Sequence, residues 1–367
     1  MGLSTETFLF LGGLAFVASG GISAFLTHKM KGWARRWGLV DRPREAGDER
    51  SSLPLGGGVA IFFTTTFLLL AALGGLEWVS RFFPERMPEE LLLYLPGVRS
   101  RIPMLLCVLL GGACVFGLGL VDDRWGLGPV PKILVVTGVA VFLSFNDIRL
   151  SFFVSSFGVG MVITVGWVLL VTNAFNLLDN MDGLSAGVAM IAGFLMLGAS
   201  LQTGHLFVAA YLVVFIGAVF GFLIHNLAPA SIFMGDAGSL YVGYTISVLV
   251  ILSTFYEPAY PVYPIVLPLI ILAVPLYDTL SVIVIRFREG RAIFRGDKCH
   301  LSHRLVAMGM GVREAVLTIY LLTLSCGLVG LMLYRTDDVG AVIVAAQVIL
   351  ILSVLALLEQ TGRRSRR

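Results

Sequence analysis

The sequence predicts an all-α polytopic membrane protein with about 11 transmembrane helices, its N-terminus outside and its C-terminus in the cytoplasm. Three observations carry this. Of 367 residues, 57% are hydrophobic and only 13% charged, which is far more apolar than a water-soluble domain of this length needs. Apolar runs of about 20 residues recur along the whole chain, each long enough to cross a ~30 Å hydrocarbon core. The alternating apolar and polar pattern of ~10-residue segments that marks a membrane β-barrel is missing.

The runs fall at 7–28, 55–76, 102–121, 131–146, 158–178, 183–202, 205–225, 237–255, 263–285, 314–334 and 339–358. The first follows "MGLSTETF", which lacks the positive region of a cleavable signal peptide. Glu6 also stands where the myristoylation pattern needs Ser or Thr. The first run therefore reads as a retained anchor. Several later runs are rich in Gly, which suits close helix packing in lipid. No internal repeat of fixed period is visible.

Lys and Arg set the orientation, because cytoplasmic loops carry the excess of both. Twenty of the 26 Lys and Arg residues fall after runs 1, 3 and 9 or in the tail "GRRSRR". The opposite side holds Arg81, Arg86, Arg99, Arg101, Arg149 and Arg335. A single catalytic domain, 1–367, is therefore expected to present cytoplasmic loops at about 29–54, 122–132, 179–183, 226–238 and 286–313. The four cysteines give no framework: Cys107, Cys114 and Cys326 lie in apolar runs, where Cys behaves as a small hydrophobe. The pair Cys299–His300 lacks the second Cys cluster of a zinc site. The net charge of +3 is spread over loops that set topology, so nothing suggests nucleic acid as a partner.

Nearly all short-loop carboxylates land on the cytoplasmic face: Asp122 and Asp123 in "VDDRWGLGPVPK", Asp179 and Asp182 in "NLLDNMDGLS", Asp236 in "FMGDAGS". Asp179 and Asp182, spaced i and i+3, can share one face of a helical turn. The plain alternatives are a helix cap at Asp236 and a solvated helix end at Asp122 and Asp123. Five carboxylates at one surface repel one another unless a cation is present. An oxygen-rich site with few protein ligands suits Mg²⁺, which keeps waters and adds substrate phosphates. His300, His303 and Arg304 in "CHLSHRL" suit phosphate oxygens, Arg through paired donors. Asn173 and Asn176 precede Asp179 on the same run, with interhelical hydrogen bonding as their alternative role. Asp278 sits inside run 9, where a carboxylate costs about 2.5–3.5 kcal/mol on insertion scales and so faces a cavity or a partner. Phe233 is either a stacking platform or interfacial packing. The residues alone thus suggest a cytoplasm-facing, cation-holding site for one soluble and one lipid phosphate. A cation-coupled transporter is the competing class, though the midplane site and repeated halves of transporters are not seen.

Together "VDDRWGL", "NAFNLLDNMDGLSAG", "FMGDAGS", "PLYDTL" and "HLSHRL", spread over residues ~120–305, resemble the polyprenyl-phosphate N-acetylhexosamine-1-phosphate transferase family (glycosyltransferase 4 type). The resemblance implies transfer of a sugar 1-phosphate from a UDP-N-acetylhexosamine to undecaprenyl phosphate, with release of UMP and a requirement for Mg²⁺, Mn²⁺ being the substitute. It implies a multi-pass protein of the bacterial inner membrane, with a homodimer compatible. By the same resemblance Asp236 is the main metal ligand, and Asp122, also near the metal, accepts the proton of the lipid phosphate that it positions with Asp123. Asn176 and Asp179 shape the pyrophosphate region, Asp182 meets the nucleoside, and Asn226 and Phe233 contact the uridine. Asn173 and Lys132 belong with the substrate-binding residues, Lys132 near phosphate. His300, His303 and Arg304 close over the sugar-phosphate end. Three departures stand out. The loop after the first run, "RPREAGDERSSLPLGGG", keeps the family's Pro and Gly run but lacks a His that many relatives carry, so it is given no catalytic role. The family's "DGxDG" core reads "DNMDG", with Asn180 in place of Gly. "HLSHRL" replaces the three adjacent histidines of the muramyl-pentapeptide branch, so the likeness is closer to the branch that begins O-antigen (lipopolysaccharide), teichoic acid or other envelope glycans, with UDP-N-acetylglucosamine as the default donor.

Overall fold

The computed structural model describes residues 5–41, 53–87, 89–150, 156–253, 263–291 and 299–364. Arg42, Arg44, Arg50, Arg295, Lys298, Arg366 and Arg367, counted above for topology, lie outside the described residues. The chain is helical: α1 (Thr5–Trp37), α2 (Gly57–Phe82), α3 (Glu89–Trp125), α4 (Pro129–Phe145), α5 (Phe157–Leu178), α6 (Leu184–Gln202), α7 (Leu206–Asn226), α8 (Gly235–Leu252), α9 (Leu267–Ile271), α10 (Ala273–Arg288), α11 (Leu301–Ala307), α12 (Val312–Gly330) and α13 (Asp338–Arg364).

Among the described residues nine helices are long and apolar enough to cross a membrane. The other two expected runs differ from a simple span. The run at 263–285 is split into α9 and α10, bent by 64°. Pro275 supplies the cause: it has no N–H for the Ile271 carbonyl, and its ring crowds that carbonyl, so the helix restarts with Pro in its first turn. α4 has 17 residues, about 26 Å at 1.5 Å per residue, short of a ~30 Å core.

α7 and α8 are the most buried spans, while α1 and α13 lie at the edge. α1 packs on α7 through small residues. Ser19 and Ser23 donate across the seam to the carbonyls of Val214 and Ala218, at 2.5 and 2.6 Å. A Cβ on Gly221 would stand 2.2 Å from the Gly20 carbonyl oxygen. In lipid, such close backbone approach and side-chain hydrogen bonds replace the hydrophobic effect as the reason helices associate.

The same device builds the end of the bundle that matters here. A Cβ on Gly119 of α3 would lie 2.4 Å from the Asp236 carbonyl oxygen, and one on Gly58 of α2 would lie 2.2 Å from the Gly238 nitrogen. α2 and α3 therefore meet the first turn of α8 backbone to backbone. At this end the connections after α1, α3, α5, α7 and α10 converge. Leu55 pairs with Phe233, Lys132 reaches Asp122 and Asp236, and Ser302 reaches Asn180.

Candidate active site

The centre of the site is a cation between two carboxylates. Asp122 ends α3, Lys132 begins α4 and Asp236 begins α8. The Lys132 ammonium bonds Oδ2 of both Asp122 and Asp236. Asp122 Oδ1 also accepts the Leu127 N–H, which fixes the turn between α3 and α4. The Asp236 side chain stays 30% exposed against 7% for Asp122, so it is the open member of the pair. Asn176, in the last turn of α5, donates through Nδ2 to Asp236 Oδ1 and to Ser239 Oγ, both at 2.9 Å.

Asp123 is the cap of α8. Its Oδ1 accepts the Asp236 N–H at 2.7 Å and its Oδ2 the Ala237 N–H at 3.1 Å. A carboxylate there satisfies two free N–H groups and meets the positive end of the helix dipole. Gly235, just before it, has φ +74°, and a Cβ there would sit 2.6 Å from Asp123 Oδ2. Both facts require glycine.

The α5–α6 turn supplies the next wall. Asp179 follows α5, partly buried. Burial, then the charges of Asp236, Asp123 and Asp182, push its carboxyl up to about 8. Asp182 Oδ2 accepts the Ala230 N–H at 3.0 Å, tying the turn to the α7–α8 loop. Asn226, 2% exposed, braces the same junction: Oδ1 accepts the Gly183 N–H and Nδ2 donates to the Ile232 carbonyl. Its amide is thus committed to backbone on both sides. Asn173 donates one turn back to the Leu169 carbonyl. Phe233, partly buried, is held by its backbone: its N–H donates to the Pro54 carbonyl, and its own carbonyl accepts from Gly57 at 3.0 Å. The "PLGGG" stretch is thus bonded through its backbone to the Phe233–Met234 segment that leads into α8.

His300 and Arg304 belong to a second cluster, whose acids are Asp278 and Glu359. Asp278 of α10, 2% exposed, accepts the Leu301 N–H at 2.6 Å through Oδ1 and pairs with His300 Nδ1 at 3.1 Å through Oδ2. Arg304 bonds Asp278 through Nη2 at 3.3 Å, Ser281 through the same nitrogen at 2.7 Å, and Glu359 of α13 through Nη1 at 3.0 Å. Tyr277 donates to Glu359 at 3.1 Å. The sequence leaves Glu359 in the tail, with no hint of a partner 55 positions earlier. His303, on the same short helix, is less buried than His300 and Arg304.

Among the described residues no three His, Cys, Asp or Glu side chains converge as a metal-binding group. Two carboxylates do converge, and they already gather one cation, Lys132. Two carboxylates, one of them on the partly exposed Asp236, are the donors that Mg²⁺ takes together with water and substrate oxygens.

A family model described as "Glycosyl transferase family 4" matches residues 105–254. That stretch contains Asp122, Asp123, Lys132, Asn176, Asp179 and Asp236. A Bacillus subtilis (strain 168) protein described as a probable undecaprenyl-phosphate N-acetylglucosaminyl 1-phosphate transferase is 32% identical over 317 residues, 84% of this chain and 81% of the relative. The decaprenyl-phosphate N-acetylglucosaminephosphotransferase of Mycobacterium tuberculosis (strain ATCC 25618 / H37Rv) is 30% identical, covering 89% of this chain and 84% of the relative. The undecaprenyl-phosphate alpha-N-acetylglucosaminyl 1-phosphate transferase of Escherichia coli (strain K12) is 27% identical, covering 78% and 74%.

Proposed function

Because the chain belongs to glycosyl transferase family 4, we propose that it transfers N-acetylglucosamine 1-phosphate from UDP-N-acetylglucosamine to a polyprenyl phosphate. Undecaprenyl phosphate is the acceptor expected in a bacterial plasma membrane, and the site faces the cytoplasm, where nucleotide sugars are. The observation that carries the reading is the convergence of Asp122 and Asp236 on Lys132 at the first turn of α8.

An oxygen of the lipid phosphate attacks the β-phosphorus of the donor. The anhydride bond between α- and β-phosphorus breaks, a new anhydride joins lipid and sugar phosphates, and UMP leaves. Asp122 and Asp236 would hold Mg²⁺, which supplies charge neutralisation across the pyrophosphate oxygens. Lys132, beside the same carboxylates, would supply a second positive charge for the phosphates. Asp122 takes the proton when the lipid phosphate arrives singly charged. Asn176 holds Asp236 Oδ1 in place, leaving Oδ2 for the cation. Asp123 acts by fixing the first turn of α8. Direct attack is favoured over a covalent aspartyl intermediate, because a phosphate oxyanion needs little further activation.

The test is UMP release by purified protein in detergent with undecaprenyl phosphate, Mg²⁺ and a panel of UDP-hexosamines. The expected result is Mg²⁺-dependent UMP from UDP-N-acetylglucosamine. UMP from another UDP-hexosamine alone would change the donor, and no UMP from any would overturn the reading.

A further inference from the structure

We propose that Asn180 and Ser302 form a clasp that sets the spacing between the acidic α5–α6 turn and helix α11, and that this spacing governs capture of a nucleoside diphosphate-sugar. The proposal rests on the transferase reading of the site.

Ser302 Oγ donates to Asn180 Oδ1 at 2.6 Å, across 122 positions of sequence. Asn180 Nδ2 donates to the Leu177 carbonyl at 2.7 Å, at the end of α5. The second bond orients the amide: a flipped side chain would set its oxygen against the Leu177 carbonyl. The oxygen must then face Ser302, which is 1% exposed and has no other route to a partner in water. Gly at 180 supplies neither bond. Asp at 180 has no N–H for Leu177 and adds a third carboxylate to a turn that already carries Asp179 and Asp182.

The two walls joined by this bond are each anchored elsewhere. The turn is held by Asn226, by the Ala230 N–H on Asp182 and by the Tyr320 hydroxyl on the Gly183 carbonyl. α11 is held by Asp278, through the Leu301 N–H, His300 and Arg304. Each wall thus has bonds of its own, and the clasp is a direct side-chain link between them. One wall carries carboxylates beside the cation site, and the other carries His303. A diphosphate-sugar held by a cation at the first wall has its sugar end toward the second, so the gap between the walls has to match its length. A pre-set gap lowers the ordering cost of binding it.

The experiment uses full-length protein in detergent and four variants: Ser302→Ala, Asn180→Gly, the double variant and Ser302→Thr, which keeps the hydroxyl. The readouts are the calorimetric Kd for UDP-N-acetylglucosamine with Mg²⁺, and KM and kcat for UMP release. Each single variant should weaken donor binding and raise its KM about tenfold, with kcat within threefold of the parent. The double variant should be no worse than the worse single, as for two residues sharing one bond, and Ser302→Thr should stay within twofold of the parent. Ser302→Ala keeps the Asn180–Leu177 bond, so it carries the test if Asn180→Gly lowers the melting temperature. Unchanged donor Kd, additive singles, or a fall in kcat at constant KM would overturn the clasp. Active parent protein with unaffected variants sinks the clasp alone; parent protein that releases no UMP from any UDP-hexosamine sinks the transferase reading with it.

Discussion

Asp123 holds Asp236 by its backbone, not by its side chain: the Asp236 N–H sits 2.7 Å from Asp123 Oδ1, while the Asp236 carboxylate turns away to Lys132 and Asn176. One carboxylate thus aims another. Asp123→Ala should remove both acceptors from the first turn of α8, at a cost of about 0.5–2 kcal/mol for a lost cap. Asp123→Asn keeps one acceptor and should cost less. Melting in detergent, paired with UMP release, checks the order; a more damaging Asn than Ala would contradict the capping role.

Lys132 occupies the oxygens of Asp122 and Asp236 that the proposed Mg²⁺ site uses, so on that reading it competes with a divalent cation. Lys132→Met removes a positive charge from between two negative ones, so Mn²⁺ should bind the substrate-free protein about tenfold more tightly, by the charge rule for neighbouring groups. Turnover should fall by at least about a hundredfold, since a charge facing the phosphates is lost. Manganese titration by electron paramagnetic resonance reads the first effect and UMP release the second. Weaker Mn²⁺ binding would show that Lys132 supports the metal site instead of rivalling it.

Asp179 gives a pH dependence. Its carboxyl in the folded protein titrates at about 8, above the ordinary value near 4. The folded state therefore binds the proton more tightly than the unfolded chain. Stability from this group is full below pH ~4 and is lost as pH rises toward about 8. Asp179→Asn mimics the protonated form and should flatten the decline in melting temperature between pH 5 and 8 in metal-free protein. An unchanged slope would remove Asp179 as its source.

Glu359 and Arg304 test the second cluster. Both are buried, and Arg304 bridges Glu359 to Asp278. Glu359→Ala leaves Arg304 with half its negative partners, and breaking a buried pair costs about 3–5 kcal/mol. Glu359→Gln, which keeps an acceptor, should lose less. Because α11 hangs from the same cluster, the Ala variant should also lower activity. A variant with normal melting and normal turnover would show that α13 contributes nothing to α11.

Much of this was legible in the sequence. The apolar runs mark the helices because a membrane span needs length and greasiness, and both are local properties. Asp122, Asp236 and Lys132 could be gathered to one face by counting charges. Their partners could not be read, because a partner is chosen by packing. His300 and Arg304 lie next to His303 in sequence, yet Asp278 and Glu359 draw them into a buried cluster of their own. Asn226 bonds the Gly183 N–H and the Ile232 carbonyl, two backbone groups that no local pattern announces. The break at Leu272 was missed because hydropathy averages over Pro275.

The glycine contacts between α2, α3 and α8 bear on how such an enzyme can be altered. At Gly119 and Gly58 there is no clearance for even one methyl group. The ledge that carries Asp236 is thus an anvil: it cannot shift to suit a different sugar or a longer lipid. Changes of substrate have to come from parts joined to that ledge by side chains, such as α11, and a library aimed at new donors would vary residues there while leaving the glycine seam untouched.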